Sequence, residues 1–216
     1  MTIERAVRVD TGDALLDGDL GRRDPAVGIV VFAHGSGSSR HSSRNRRVAL
    51  ALRASGLATL LLDLLTPEEE EADRASGHLR FDIGLLARRL VGATTWLADQ
   101  PETQGLPVGY FGASTGGGAA LVAAAQHPEA VGAVVSRGGR PDLAGDFLPM
   151  VRQPTLLIVG KLDEVVIDLN RQALTRLGCE ANLVTVRGAS HLFGEPGALE
   201  QVAELAGDWF SRHLTR

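Results

Sequence analysis

The chain has 216 residues, of which 44% are hydrophobic and 22% charged, and this composition is typical of one globular domain spanning 1–216. Its formal net charge of −4 argues against a nucleic-acid-binding protein, a class that is usually basic. The one cysteine, Cys179, excludes an internal disulfide, and no Cys/His spacing indicates a zinc site, so we expect neither metal nor other cofactor.

The N-terminal segment Met1–Arg5 lacks the basic start and apolar run of a signal peptide. No apolar segment approaches the roughly 20 residues needed to span a bilayer. We therefore expect a cytoplasmic protein that binds neither membrane nor nucleic acid, either as a monomer or as a homodimer. The first 24 residues contain two apolar stretches, Val7–Val9 and Ala14–Leu16, which predict a hairpin at one edge of a sheet.

Six short apolar runs follow the predicted hairpin, each flanked by glycine, proline or charged residues. Most are continuously apolar rather than alternating, as is typical of strands covered on both faces. Because helical patterns separate these runs, we predict a mostly parallel sheet with helices on both sides. The runs are Gly28–Ala33, Leu57–Leu62, Val108–Phe111, Val131–Val135, Thr155–Val159 and Ala181–Val186.

The helical patterns begin near Ser42 and include roughly 81–99, Thr115–Gln126 and a C-terminal helix that Pro196 is placed to open. Two further stretches, 66–78 and 137–150, interrupt the alternation of strand and helix. Both are too short to form a separate cap domain.

The turn between the third apolar run and the helix Thr115–Gln126 reads Gly112-Ala113-Ser114-Thr115-Gly116, which matches the pattern Gly-x-Ser-x-Gly. Such a turn is tight, so small residues must flank the serine, whose hydroxyl then stands above the sheet near a positive helix N-terminus. A phosphate-binding loop is the other interpretation, but the Lys-Ser/Thr ending that it requires is absent. We predict that Ser114 is a nucleophile.

A serine hydroxyl needs a base to take its proton, and His191 is the candidate. It follows Gly188-Ala189-Ser190, in the loop between the last predicted strand and the last helix. Such a loop can reach the edge of the sheet at which Ser114 lies.

A carboxylate must orient the imidazole and stabilise its charged form. Asp163 follows the strand Thr155–Val159 closely and so lies at the same edge of the sheet as Ser114. Glu164, Asp168 and Asp142 are its rivals, of which Glu164 should point elsewhere and Asp168 should lie on the next helix.

The oxyanion formed by attack on a carbonyl needs preorganised donors. We assign one donor to the backbone N–H of Thr115. The second is assigned to Ser36, in the loop His34–Ser39, because its glycines and serines let backbone amides approach a substrate. His34 is expected to hold this loop in place.

These residues together resemble the α/β-hydrolase superfamily, in which nucleophile, acid and base follow the chain order Ser114, Asp163, His191. More narrowly, the stretches 32–35, 111–116 and 188–191 are similar to the dienelactone-hydrolase-like branch, and the resemblance covers nearly the whole chain. The chain also resembles hydrolase domains fused to, or beside, phosphoribosyltransferases. The resemblance implies the α/β-hydrolase fold, with about seven or eight strands and no separate cap domain.

The resemblance also implies hydrolysis of ester or lactone bonds, with one departure. Dienelactone hydrolases proper use a cysteine nucleophile, whereas Ser114 stands at that position here, so their substrate does not transfer. The expected function is a cofactor-free serine hydrolase that cleaves a small carboxylic ester or lactone through an acyl-enzyme intermediate. Amide, peptide and thioester hydrolysis use the same triad and stay open, and a non-catalytic binding module is the alternative from another class.

Four arginines lie between residues 40 and 47, which is dense for a chain of net charge −4. Arg40, Arg44 and Arg137 are candidates to bind an anionic substrate, because the planar guanidinium can hold a carboxylate or phosphate through two hydrogen bonds. The alternative is that these arginines are solvated or pair with the acidic run Glu68–Glu71.

Overall fold

The computed structural model describes residues 2–214, and within them eight strands and six helices alternate along most of the chain. The strands are β1 (Thr2–Asp10), β2 (Leu15–Arg23), β3 (Ile29–Ala33), β4 (Ala58–Leu62), β5 (Val108–Ala113), β6 (Val131–Arg137), β7 (Thr155–Gly160) and β8 (Ala181–Val186). The helices are α1 (Ser43–Ala54), α2 (Pro67–Ser76), α3 (Ile83–Ala98), α4 (Thr115–Gln126), α5 (Glu164–Leu174) and α6 (Ala198–His213).

The strands form one sheet in the order β1-β2-β4-β3-β5-β6-β7-β8. β3 to β8 run parallel to one another, while β1 and β2 form an antiparallel hairpin that joins the sheet through β4. The predicted fold class is thereby confirmed, and the hairpin lies at one edge of the sheet, as predicted. Both of its strands are longer than their apolar stretches indicated.

Helices cover both faces of the sheet. α1 and α6 pack on one face, against Phe32, Phe111 and Val135. α3, α4 and the 3₁₀ segment Pro141–Met150 cover the other face, around Tyr110. The central strands β3 to β7 are buried almost throughout, which explains their continuously apolar sequences. No helix within residues 2–214 has the length and apolar character needed to cross a membrane.

α4 lies unusually close to the sheet because three glycines stand at its start. A Cβ at Gly116 would lie 2.2 Å from the Ala33 carbonyl oxygen, and one at Gly117 would lie 2.6 Å from Ser136 Oγ. A Cβ at Gly118 would meet the Arg140 carbonyl oxygen at 2.8 Å. Every residue of this helix except its last, Gln126, is buried, so the packing allows no larger side chain at its first turn.

Three of the six helices described within residues 2–214 begin with a side-chain cap. Ser42, Thr66 and Asp82 each accept a hydrogen bond from the backbone N–H three residues ahead, at 3.3, 3.2 and 2.9 Å. α4 and α5 also follow residues that commonly cap helices, Ser114 and Asp163, but neither of these side chains caps its helix. Their polar groups are therefore left for other partners.

The start of α6 departs from the prediction. Pro196 does not open the helix: Gly197, in the left-handed conformation with φ 81°, precedes its first residue, Ala198. Only glycine adopts this conformation without strain, so the chain turns at Gly197 and Pro196 lies outside the helix.

Candidate active site

Ser114 lies at the sharp turn between β5 and α4, at the carboxyl edge of the sheet. Its φ of 51° and ψ of −121° belong to a region that L-residues rarely adopt. The turn is held by hydrogen bonds from Ser114 N–H to the Arg137 carbonyl (3.3 Å) and from Arg140 N–H to the Ser114 carbonyl (3.0 Å). The side chain makes no hydrogen bond with the described residues, so the hydroxyl is available for chemistry.

Asp163 and His191 are in direct contact, as the sequence predicted. Asp163 Oδ2 lies 2.6 Å from His191 Nδ1, in hydrogen-bond geometry. The aspartate side chain is 15% exposed and the imidazole 40% exposed. The pairing fixes the ring with Nδ1 toward the carboxylate, which leaves Nε2 without a partner within residues 2–214 and able to accept a proton.

The serine and the histidine lie on neighbouring parts of the same edge. Ala113 is in register with Arg137 on the adjacent β6, and the next residue on that side, Gly138, packs against the histidine. A Cβ at Gly138 would lie 3.6 Å from His191 Cε1. No hydrogen bond joins Ser114 Oγ to His191 among the described residues, and in free enzymes this contact is often long until substrate binds.

Glu195 is a residue of this site that the sequence analysis did not single out. Its Oε1 accepts the backbone N–H of Ser190 at 3.1 Å, next to His191. Hydrogen bonds from Ser190 and from the backbone of Glu195 itself lower the pKa of the Glu195 carboxyl group. A carboxylate in a short strand-to-helix loop can reach the amides of that loop. The position of Glu195 in such a loop is the feature of the sequence that could have identified it.

The predicted oxyanion loop contacts the nucleophile turn. Ser36 N–H donates to Thr115 Oγ1 at 2.8 Å, which brings both predicted donor residues together at the start of α4. As the first residue of α4, Thr115 has a backbone N–H without an intrahelical partner. The Ser36 N–H is engaged by the hydroxyl, so a substrate oxygen would have to replace this hydroxyl as its acceptor.

His34 anchors the oxyanion loop to the end of β4. Its Nε2 accepts the Leu64 N–H at 3.1 Å, and its Nδ1 lies 2.9 Å from the Gly35 carbonyl oxygen. Burial lowers the pKa of His34, more strongly than the Gly35 hydrogen bond and nearby acids raise it. With both ring nitrogens engaged by backbone, this histidine has the structural environment that the sequence analysis expected.

Arg40 lies among carboxylates. Its backbone N–H donates to Asp63 Oδ1 at 2.6 Å, and its guanidinium pairs with the same carboxylate. Asp17 and Asp19 lie 3.9 and 3.8 Å from the guanidinium. This arginine therefore fixes the oxyanion loop to the N-terminal hairpin, and its charge is neutralised within the protein.

Arg137 and Arg44 make no ion pair with a carboxylate among residues 2–214. Arg137 extends from the end of β6 toward α1, where Asn45 Oδ1 accepts from its Nη2 at 3.3 Å. The sequence analysis did not predict Asn45, or Phe193, whose ring lies against Arg137. None of the three candidate arginines pairs with the acidic run, since Glu69 binds Arg89 and Glu71 binds Arg74.

The rival carboxylates are engaged elsewhere or exposed. Asp142 forms two hydrogen bonds with Arg140, at 2.8 and 2.7 Å. Asp168 lies on α5 and pairs with Arg171 at 3.0 Å, while Glu164 is exposed on the first turn of α5. Asp163 is the carboxylate that contacts His191.

A cavity of about 480 Å³ lies beside the oxyanion loop. Gly35, Ser36 and the serines after them form one wall, and α2 with Arg80 forms the opposite wall. Leu65 and Leu86 supply its apolar part. Its volume lies within the range of small-molecule pockets. No group of three or more His, Cys, Asp or Glu side chains within residues 2–214 is arranged to hold a metal ion.

Comparison with known proteins gives a family and close relatives. The family model described as "Dienelactone hydrolase family" matches residues 16–214. A Mycobacterium tuberculosis (strain ATCC 25618 / H37Rv) protein provisionally named a phosphoribosyl transferase is 60% identical over 211 residues, 98% of this chain and 47% of that protein. The chain thus spans about half the length of the curated relatives it matches.

Solved structures agree with the family match. A dienelactone hydrolase from Anabaena variabilis is 63% identical, with a TM-score of 0.96 over 99% of both chains. A dienelactone hydrolase-like promiscuous phosphotriesterase, P91 from metagenomic libraries, has a TM-score of 0.78 at 20% identity over 98% of both chains and shows the fold alone. The family resemblance seen in the sequence is confirmed.

Proposed function

The chain is a hydrolase that belongs to the dienelactone hydrolase family, and from this premise we propose that it is a serine hydrolase cleaving a small carboxylic ester or lactone. Ser114 acts as nucleophile, His191 as general base and Asp163 as the carboxylate that orients the histidine. The observation that carries the proposal is the 2.6 Å contact between Asp163 and His191. It lies near Ser114, whose backbone is strained and whose side chain does not cap α4. Because the chain matches only about half of the mycobacterial relatives, their transferase name is not carried over to it.

The proposed reaction needs only groups of this chain and a water molecule. Ser114 Oγ attacks the carbonyl carbon while its proton passes to His191 Nε2, and the carbonyl oxygen becomes negatively charged. Return of that charge to the carbonyl breaks the bond to the leaving alkoxide oxygen, which takes the proton from His191. For a lactone, this alcohol stays attached to the acyl group. Water then releases the acid from Ser114 by the same steps, and His191 again transfers the proton.

The backbone N–H groups of Ser36 and Thr115 are proposed to stabilise the oxyanion. In the free protein the Ser36 N–H is bonded to Thr115 Oγ1, and the substrate oxygen would take the place of this hydroxyl. A charged oxygen is a stronger acceptor than a neutral hydroxyl, so the exchange becomes favourable as negative charge develops.

The test combines a covalent probe with kinetics. A fluorophosphonate should label wild-type protein on Ser114, as located by peptide mass spectrometry. A panel of neutral esters, lactones, thioesters and amides should show ester or lactone turnover, and Ser114→Ala should lower kcat by roughly 10⁴–10⁶. Ser55→Ala, at an exposed serine after α1, is the control and should leave labelling and turnover unchanged.

Two results would overturn the proposal. Labelling and turnover that persist in Ser114→Ala would exclude this serine as nucleophile. Wild-type protein that binds the panel compounds but neither reacts with the probe nor cleaves any of them would favour a binding module. Faster cleavage of thioesters or amides than of esters would keep the triad and change the substrate class.

A further inference from the structure

Three arginines are buried within residues 2–214, and they differ in their partners. Arg53, 2% exposed, pairs with Glu4 at 2.8 Å, and Arg89, 3% exposed, pairs with Glu69 at 2.7 Å. Arg137, 6% exposed, has no carboxylate partner in the described part of the chain. Because an uncompensated buried charge is costly, the first two pairs show how this protein normally neutralises such a group.

The surroundings of Arg137 compensate its charge only in part. Among the described residues its side chain makes one hydrogen bond, to Asn45 Oδ1, which is long at 3.3 Å. Its Nε, like those of Arg53 and Arg89, is buried without a hydrogen-bond partner. Its guanidinium carbon lies 5.7 Å from the centre of the Phe193 ring, an arrangement that attracts a cation weakly. Burial, with the charge of Arg44 as a second cause, lowers the pKa of Arg137 to about 10, so the group is still charged at neutral pH.

Arg44 adds a second positive charge near the guanidinium group of Arg137. It lies on the first turn of α1, one residue before Asn45, and its Nε is also buried without a partner. The rest of its side chain is partly exposed, so the pair is accessible from solvent on the Arg44 side. Two like charges near each other, without a counter-charge among residues 2–214, form a site that a bound anion would complete.

This arginine pair is adjacent to the candidate triad. The Arg137 carbonyl accepts the N–H of Ser114, and Phe193 follows His191 by two residues in the chain. We propose that Arg44 and Arg137 bind a phosphate group carried by the substrate, so that the enzyme prefers phosphorylated carboxylic esters over neutral ones. The inference rests on the proposed function, because it places this anion on the molecule that Ser114 attacks.

The charge balance favours phosphate over carboxylate. Two guanidinium groups without a counter-charge are neutralised by a doubly charged anion, and a phosphate monoester carries close to two negative charges at neutral pH. A phosphate also offers three acceptor oxygens to the several N–H donors of two guanidinium groups. A carboxylate would leave one positive charge uncompensated.

Binding is tested without turnover, by thermal unfolding with inorganic phosphate as the probe. At constant ionic strength, phosphate should raise the Tm of wild-type protein in a saturable way, whereas chloride and acetate should not. Arg137→Met and Arg44→Gln should each abolish this rise. Arg47→Gln, at an exposed arginine of the same helix that pairs with Glu200, is the matched control and should keep it.

The kinetic test compares an ester carrying a phosphate with its neutral analogue. Wild-type kcat/KM for the phosphorylated ester should be about tenfold to hundredfold higher, as expected for charge-assisted hydrogen bonds. In Arg44→Gln and Arg137→Met the ratio of the two rate constants should fall to about one. In Arg47→Gln it should equal the wild-type ratio.

The results separate this inference from the proposed function. Wild-type protein that cleaves both esters at equal rates, and whose Tm responds equally to phosphate and chloride, overturns the phosphate site and keeps the hydrolase. A phosphate effect that persists in both variants, or a stronger response to acetate, also overturns it. Phosphate binding that depends on both arginines, without cleavage of any ester, keeps the anion site and overturns the proposed ester hydrolysis.

Discussion

The N-termini of the helices divide the molecule into two regions. α1, α2 and α3 begin with polar side chains that cap them, whereas Ser114 and Asp163 precede α4 and α5 without capping. A missing cap costs about 1 kcal/mol, so the second region forgoes stability that residues of the same types provide in the first. α1 and α2 also follow parallel strands at this edge of the sheet, so the difference lies in Ser114 and Asp163 themselves and not in the edge. It is the difference expected if these two side chains have the proposed catalytic roles.

The sharpest test of this comparison is Asp163→Asn. Asparagine and aspartate cap helices equally well, and Asp163 does not cap α5, so the free energy of unfolding should change by less than about 0.5 kcal/mol. The kcat should fall by about 10⁴, because an amide favours the wrong tautomer of His191 and cannot stabilise its charged form. Ester kinetics and urea unfolding on the same preparation measure both quantities.

Asp142→Asn is the control for this prediction, since Asp142 binds Arg140 rather than His191. It should leave kcat within a few-fold of wild type. A mild effect of Asp163→Asn together with a large one of Asp142→Asn would require the triad to be redrawn.

Asp82→Ala tests the capped region. Asp82 accepts the Leu85 N–H at 2.9 Å at the start of α3, and its loss should lower the free energy of unfolding by about 1 kcal/mol. Because α3 carries no candidate catalytic residue, kcat should be unchanged. Urea unfolding and ester kinetics check this, and a loss of activity without a loss of stability would remove the distinction between the two regions.

The strain at Ser114 predicts a smaller effect. Its positive φ costs an L-residue about 1–2 kcal/mol, whereas glycine adopts it freely but loses more chain entropy on folding. Ser114→Gly should therefore be more stable than Ser114→Ala by about 0.5 kcal/mol, and both should be inactive. Paired urea unfolding of the two variants measures the difference, and a less stable glycine variant would show that this turn is not strained.

His34 and His191 at this edge also differ in whether their polar atoms have partners within the protein, since His191 Nε2 has none among the described residues. This difference predicts the smallest effect. His34 has both ring nitrogens engaged by backbone, and burial lowers its pKa below the ordinary value of 6.5. In the unfolded chain His34 takes up a proton below about pH 6.5, but in the folded protein it does so only at lower pH. Its contribution to stability is therefore complete above pH 6.5 and is lost as the pH falls toward the folded pKa.

Urea unfolding at pH 8 and at several values below pH 6.5 measures this loss. His34→Gln removes the titrating group, so the variant should be less stable than wild type at pH 8 and should lose less stability on acidification. Identical losses in the two proteins would mean that His34 does not titrate differently in the folded and unfolded states.

The sheet and the places of the candidate triad residues in it could be predicted because they depend on local patterns. Buried parallel strands have continuously apolar sequences, and their carboxyl ends meet at one edge, so Ser114 and Asp163 could be placed there before any contact was known. The full length of β1 was missed because Ile3–Ala6 are all exposed, and only Val7 and Val9 among its described side chains are apolar and buried.

The environments of the arginines could not be predicted from the sequence. Arg40 and Arg44 are four residues apart and chemically identical, yet Arg40 lies among three aspartates, whereas Arg44 has no carboxylate partner within residues 2–214 and its charge helps to lower the pKa of Arg137. The aspartates come from β2 and from the end of β4, which are distant from Arg40 in sequence. Which arginine is free to bind a ligand therefore depends on long-range packing.

The glycines of α4 also bear on the order in which the molecule folds. Glycine is a poor helix former, so the run Gly116, Gly117 and Gly118 at the start of α4 makes this segment a poor helix by itself. It gains its structure by packing closely against β3 and β6, whose atoms lie where larger side chains would be. We therefore expect the helix, and with it the turn that presents Ser114, to form only after these strands have assembled, so that the proposed nucleophile is not in place in a partly folded chain.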